Sequence, residues 1–223
     1  GPGQAIRGGI PVIFPQFATG PIQTPGFLRT RRWSLITHVG SSATFRITDD
    51  DQTRALWPYP FIAELTVELA EMLTVSLRIT NSGDSPFSFT AALHNYFAVG
   101  NVQQSAVQGL TGLVYVDKVL AGARYVEEAS ELRVNSETDR IYVSGPRQVT
   151  IAAAIGSSST VVGADGFGDW VVWNPWREGS APLADMGSED YLEMLCVEAA
   201  RISDPVVLDA RAAWCGTEVI GAT

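Results

Sequence analysis

Residues 64–84, ELTVELAEMLTVSLRITNSGD, decide the fold class. Leu65, Val67 and Leu69 alternate with Glu64, Thr66 and Glu68. After Ala70, Glu71 and Met72 the same beat resumes at Leu73, Val75, Leu77 and Ile79, with Thr74, Ser76, Arg78 and Thr80 between them. A period of two sends successive side chains to opposite faces of an extended chain, so each half reads as a strand with one buried face. The short break between the halves, and the Asn81-Ser82-Gly83-Asp84 turn after them, read as an antiparallel pair.

Outward from this pair, strands are predicted at 43–48, 87–93, 141–144, 148–154, 169–174, 192–199 and 205–213. Clusters of Gly, Pro, Ser and Asp separate them at short intervals. No segment has a convincing amphipathic helical pattern; 183–191 has room for a turn or so around Met186 and Tyr191. There is no internal repeat and no low-complexity linker. The expected architecture is therefore all-β, one large antiparallel β-sandwich domain over residues 1–223.

The net charge of −9 excludes a general nucleic-acid surface, because phosphate backbones want a basic face. The basic residues are fourteen arginines and one lysine, Lys118. Arginine without lysine fits either selected bidentate anion contacts or genome composition. Cys196 and Cys215 suit neither a disulfide framework nor a zinc site, and both are expected reduced and buried. No apolar run approaches the ~18 residues of a membrane-spanning helix, and no basic-then-apolar leader opens the sequence. A soluble, cytoplasmic protein with no membrane partner is expected.

Nucleotide-binding glycine motifs and a GxSxG elbow are missing, and neither His38 nor His94 sits in a metal-ligand motif. What remains is a histidine in an apolar strand pattern, several carboxylates, and arginines beside glycine-containing turns. His94 stands in TAALHNYFAVGN (90–101), flanked by apolar and aromatic residues. The residues alone leave it either a hydrogen-bonded core imidazole or a proton donor working near neutrality. Glu198 lies between Val197 and Ala199 in LEMLCVEAA (192–200), where a carboxylate is costly unless paired or functional. Glu193 reads as facing solvent and His38 as a surface or strand-edge residue. Asp139 fits an ordinary turn carboxylate as well as a site residue. Among Trp170, Trp173 and Trp176, core packing and sugar stacking compete; Trp176, beside Pro175 and Arg177, is the candidate pocket wall.

Five segments together carry a family resemblance. They are AIRGGIPVIFPQF (5–17), GFLRTRRW (26–33), ALHNYFAVGN (92–101), ETDRIY (137–142) and VVWNPWREGSAPLADMGSEDYLEMLCVEAA (171–200). In this order they span essentially the whole chain, and it resembles the hexose-6-phosphate mutarotases, a branch of the aldose 1-epimerase superfamily. The resemblance implies a galactose-mutarotase-like β-sandwich that interconverts the α and β anomers of a hexose 6-phosphate, with glucose 6-phosphate the expected substrate. It implies neither a metal nor an organic cofactor. It also implies that the N-terminal strands preceding the AIRGG segment in the family are lacking here.

Residue by residue, the resemblance assigns the acid to His94 and the base to Glu198. Substrate binding falls to Arg7 and Arg29, and Asp139 matches an aspartate of the ETDR motif. Opening a hemiacetal needs a proton taken from the anomeric hydroxyl and one given to the ring oxygen, which a carboxylate and an imidazolium flanking C1 and O5 supply. Ordinary glutamate and histidine values, ~4.3 and ~6.5, start such a pair in the required states at neutrality. Asp139 is expected to raise the His94 pKa further. A dianionic phosphate on an acidic protein calls for a local positive pocket, which Arg7 and Arg29 with nearby backbone amides would form. One departure stands out. Family members carry a histidine directly before the glycine of the GFLR-type motif, and QTPGFLR places Thr24 and Pro25 there, with Leu28 adding bulk. The acid function then rests on His94, and turnover is expected to be reduced. Two other readings fit the same residues, a non-catalytic sugar-phosphate-binding or regulatory protein and an epimerase for another aldose.

Overall fold

The computed structural model describes residues 7–18, 20, 22, 26–152 and 158–223. Two antiparallel sheets stack face to face, as the alternating strands require. Among the described residues, one sheet runs in the order Val12–Ile13, Phe87–Leu93, Met194–Leu208, Asp169–Asn174, Thr138–Tyr142, Val114–Asp117, Ala123–Val126, with Tyr96–Ala98 also paired to Met194–Leu208. The other runs Glu131–Leu132, Ala106–Gln108, Gln148–Ala152, Thr160–Asp165, Ala213–Ala222, Leu73–Asn81, Phe61–Leu69, Ser42–Thr48, Ser34–Val39. The two halves of the 64–84 stretch pair as expected, Leu65 opposite Leu77 and Val67 opposite Val75. No helix of the described residues is long and apolar enough to cross a membrane.

The interior divides into two apolar clusters. One gathers Phe14, Phe61, Leu77, Ile79, Phe87 and Phe89; the other gathers Val107, Tyr142, Val162, Trp170, Leu195 and Val197. Along Met194–Leu208, Leu195, Val197 and Ala199 point into the second cluster. The period of two sends Cys196, Glu198 and Ala200 to the opposite face. There Ala200 packs with Ile13, Ala92 and Val171 in a small cluster of its own. That outward face becomes the floor of a cleft.

Several expectations need correction. The strands predicted at 192–199 and 205–213 are largely one, Met194–Leu208, with a register shift between Arg201 and Val206 where it pairs with Phe87–Leu93. The strand expected at 141–144 is Thr138–Tyr142. A helix at Asp51–Leu56 is present although no apolar periodicity announces it: Asp50 caps it, accepting from the Thr53 amide, while the Thr53 hydroxyl accepts from the Asp50 amide. Cys196 is buried, but Cys215 is exposed.

Candidate active site

His94 does not lie within a strand. Phe87–Leu93 ends one residue earlier, where Leu93 pairs with Val12 on one side and Ala199 on the other. The next strand begins at Tyr96. In the break, the His94 amide donates to the Pro11 carbonyl at 2.9 Å and the Tyr96 amide to the Gly9 carbonyl at 3.0 Å. These bonds tie the RGGIP segment alongside and turn the imidazole outward over the sheet. Its ring stacks on Tyr96 at 4.8 Å and meets the edge of Trp173 at 6.0 Å. Glu198, opposite Val171 in the neighbouring strand, projects from the same face.

The two side chains meet: His94 Nε2 lies 3.4 Å from Glu198 Oε1. His94 is 15% exposed and Glu198 1%. Native structures rarely leave buried polar atoms unpaired, yet His94 Nδ1, Glu198 Oε2 and Arg29 Nε all lack a hydrogen-bond partner. Ile13, Phe17, Arg29, Lys118, Asp139 and Trp173 complete the cleft around them. Arg29 sits in a short 3₁₀ turn, Leu28–Thr30, directly after Gly26 and Phe27. Gly26 adopts φ +58°, and a Cβ there would stand 2.5 Å from the Phe14 carbonyl oxygen. Only glycine allows this docking of the GFLR turn against the IFPQF segment, on which the placement of Arg29 depends.

Burial sets the electrostatics of the pair. Desolvation, aided by Arg29, Arg7 and Lys118, lowers the His94 pKa to about 3. Desolvation and the Asp139 carboxyl push Glu198 well above the ordinary carboxylate range. Both shifts favour the uncharged forms, a neutral imidazole beside a protonated carboxyl, against the resting states expected from ordinary values. The expected lift of His94 by Asp139 is also corrected. Asp139 pairs with Lys118 at 2.8 Å, and its influence falls on Glu198. The proton count of the pair is unchanged, one proton shared by two groups, so a single transfer across the contact regenerates imidazolium and carboxylate.

Beside this cleft lies a second depression lined by Arg7, Tyr96, Phe97, Asp185, Met186 and Glu193. Arg7 donates to Asp185 at 2.8 Å. Burial raises the Tyr96 pKa, and the charges of Arg29 and Arg7 oppose that rise. The two arginines thus act on one phenol from neighbouring depressions. Trp176 takes no part in either: after Asn174 the chain turns into a short helix, Trp176–Ser180, and the indole packs on Tyr191 at 5.3 Å and on the core. Trp173, on the site face of its strand, is the tryptophan that lines the cleft. Asn174 fixes this geometry by donating to the Tyr191 and Met194 carbonyls and accepting from the Trp176 amide. Gln23, Thr24 and Pro25 lie outside the described residues.

Tyr96 and Lys118 escape the sequence reading as site residues, and Trp173, weighed there for sugar stacking, takes the place expected for Trp176. Tyr96 follows His94 by two positions and Lys118 is the lone lysine, but neither spacing nor type marks them before the strands are assembled. A third donor type also comes into reach. His94, Cys196 and Glu198 each place one ligating atom within 4.8 Å of the others, a proximity that the sequence spacing did not suggest. In the absence of a metal, burial pushes the Cys196 thiol well above its ordinary range.

The sequence profile of the aldose 1-epimerase family matches residues 2–219. A curated protein from Cenchrus ciliaris, named "Putative glucose-6-phosphate 1-epimerase", is 33% identical over 99% of this chain and 71% of its own length. The crystal structure of a "putative mutarotase (YeaD)" from Salmonella typhimurium superposes with a TM-score of 0.91 at 26% identity, covering 99% of this chain and 76% of that one. A galactose mutarotase-like protein from Lactobacillus casei, 16% identical, shares the fold with a TM-score of 0.78 over 96% of this chain and 85% of its own. With the family profile matched across nearly its full length and the sandwich reproduced, the chain belongs to the aldose 1-epimerase family and is a mutarotase-type isomerase acting on a small sugar.

Proposed function

We propose that the substrate is a hexose 6-phosphate, glucose 6-phosphate first, and that His94 and Glu198 carry the anomer exchange. The observation that carries this reading is the 3.4 Å contact between two unsatisfied, buried titratable groups at the floor of a cleft rimmed by Arg29 and Lys118. Sugar hydroxyls entering the cleft donate to Glu198 and favour its carboxylate, which moves the shared proton to His94. Glu198 then takes the proton of the anomeric hydroxyl while His94 protonates the ring oxygen, and the hemiacetal opens. Rotation about the C1–C2 bond presents the other face of the aldehyde. Closure returns both protons by the same route, so the pair is reset after each turnover and nothing is consumed.

The phosphate reading rests on Arg7 and Arg29, which line neighbouring depressions and both act on Tyr96, whose ring stacks on His94. A phosphate there displaces Asp185 from Arg7 and gains charge-assisted hydrogen bonds from both guanidinium groups. With Thr24 and Pro25 where the family carries a histidine, the acid step rests on His94 alone, and turnover is lower than in a protein retaining that residue. Two-dimensional exchange NMR on α and β glucose 6-phosphate, with glucose as the comparison sugar, tests both parts. Arg29→Ala should raise KM for glucose 6-phosphate about 10- to 100-fold, and change KM for glucose far less. Equal losses for the two sugars would remove the phosphate role; binding without exchange acceleration would favour the non-catalytic alternative.

A further inference from the structure

We propose that Glu218 is a positioning residue for the acid/base pair, its carboxyl locking together the two chain segments that carry His94 and Glu198; this rests on the reading of those two residues as acid and base. Glu218 belongs to Ala213–Ala222, a strand of the opposite sheet held on both sides by Leu73–Asn81 and Thr160–Asp165. Its backbone is therefore among the best fixed in the molecule. The side chain crosses the interior, fully buried, and accepts from Asn95 Nδ2. The Ala199 amide acts on the same carboxyl electrostatically, favouring its charged form. Asn95 follows His94 and Ala199 follows Glu198. One carboxyl thus holds the residue after the acid and lies near the residue after the base.

Asn95 closes the link a second time. Its Nδ2 also donates to the Val197 carbonyl at 3.0 Å, on the other side of Glu198. This bond network is the polar tie across the break in which His94 sits. Packing alone does not ask for it: a leucine at this fully buried position would strand no polar atom, whereas Glu218 Oε2 has no partner. What a leucine cannot do is receive Asn95 at a fixed point. Without that acceptor, Asn95 is free to reorient and His94 drifts relative to Glu198, and a misplacement of about 1 Å can cost about 10²-fold in rate.

The test uses the full chain and glucose 6-phosphate, with exchange NMR for kcat and KM and circular dichroism for folding. Glu218→Gln keeps an acceptor oxygen and should run close to wild type. Glu218→Leu should lower kcat about 10- to 100-fold with KM nearly unchanged, at temperatures where it is fully folded. Asn95→Ala should show the same kcat loss, and combining it with Glu218→Leu should add nothing further, since the two act as one unit. If Glu218→Leu does not fold, the contrast between Asn95→Ala and Glu218→Gln carries the same test. Normal kcat in folded Glu218→Leu or in Asn95→Ala, equal losses in the Gln and Leu variants, or additive losses in the double variant would each overturn the proposal. His94→Ala run in parallel separates the layers. If it still exchanges, the acid/base reading falls and this inference with it; if it is inert while Glu218→Leu is normal, only the role of Glu218 falls.

Discussion

Asp169 and Glu198 are buried carboxylates on neighbouring strands of one sheet, 3% and 1% exposed, and their surroundings treat them in opposite ways. Asp169 is saturated: one oxygen accepts from the Ile202 and Ser203 amides, the other from the Ser203 hydroxyl and the Ser144 amide. Glu198 has the imidazole of His94 at 3.4 Å and a second oxygen with no partner. A carboxylate with four donors gives up its desolvation cost to structure, and here it holds the irregular stretch after Arg201 against the adjoining strand. A carboxylate left short of donors keeps that cost as a raised pKa and a vacant lone pair, both of which serve a reaction. Burial alone does not separate structural from chemical residues; the count of partners does.

The largest expected effect lies on the Glu198 side. Glu198→Gln and His94→Ala should each reduce catalysed anomer exchange by about 10² to 10⁴, with the thermal stability of Glu198→Gln equal to wild type or higher, since no satisfied bond is lost. A variant that loses stability and keeps exchange would mean that Glu198 is structural like Asp169. Asp169→Ala should do the converse. Leaving the Ser144, Ile202 and Ser203 amides without their acceptor should cost roughly 2 to 4 kcal/mol in chemical denaturation, while the folded fraction keeps its kcat. Loss of kcat at full folding would bring Asp169 into the chemistry.

The pH profile examines the acid/base pair itself. Because the site works with one proton on the pair, the acid limb marks uptake of a second. With His94 depressed to about 3, exchange should persist as pH falls through 6.5, the ordinary imidazole value, and decline only toward the depressed one. An acid limb near 6.5 would mean that the liganded imidazole is solvated. The smallest effect concerns Glu218, a third kind of buried carboxyl, partly satisfied and raised from 4.5 to about 8. Between those values the unfolded chain ionises this group and the folded protein does not. The unfolded state then binds fewer protons, and stability falls as pH rises. Glu218→Gln should remove this contribution, on the order of a few kcal/mol across the window, flattening the dependence of unfolding free energy on pH. An unchanged dependence would show that the folded carboxyl is already ionised.

The clearest signal in the sequence comes from the strands with one wet and one dry face. Leu65–Ile79 alternates because its strands do, whereas Asp169–Asn174 appears where expected although every residue but Trp173 is buried, and 43–48 and 87–93 lie where expected with little or only partial alternation. Ser34–Val39 was missed because it is an edge strand exposed along its whole length, so no face selects apolar residues and Leu35, Ile36 and Val39 stand in solvent. The split at 199–205 was misread because Asp169, distant in sequence, supplies the bonds that let one strand continue through an irregularity.

From the sequence come the fold class, the family, and the identities of His94, Glu198, Arg7, Arg29 and Asp139 as candidates, because residue types and local motifs are properties of the chain itself. The sequence could not establish that His94 stands outside the strand, that Trp173 lines the cleft while Trp176 packs on Tyr191, or that burial lowers the His94 pKa and raises that of Glu198. Those follow from which backbones lie side by side and how much water they exclude. Desolvation depends on atoms brought together from the whole chain, and only the assembled sandwich determines it.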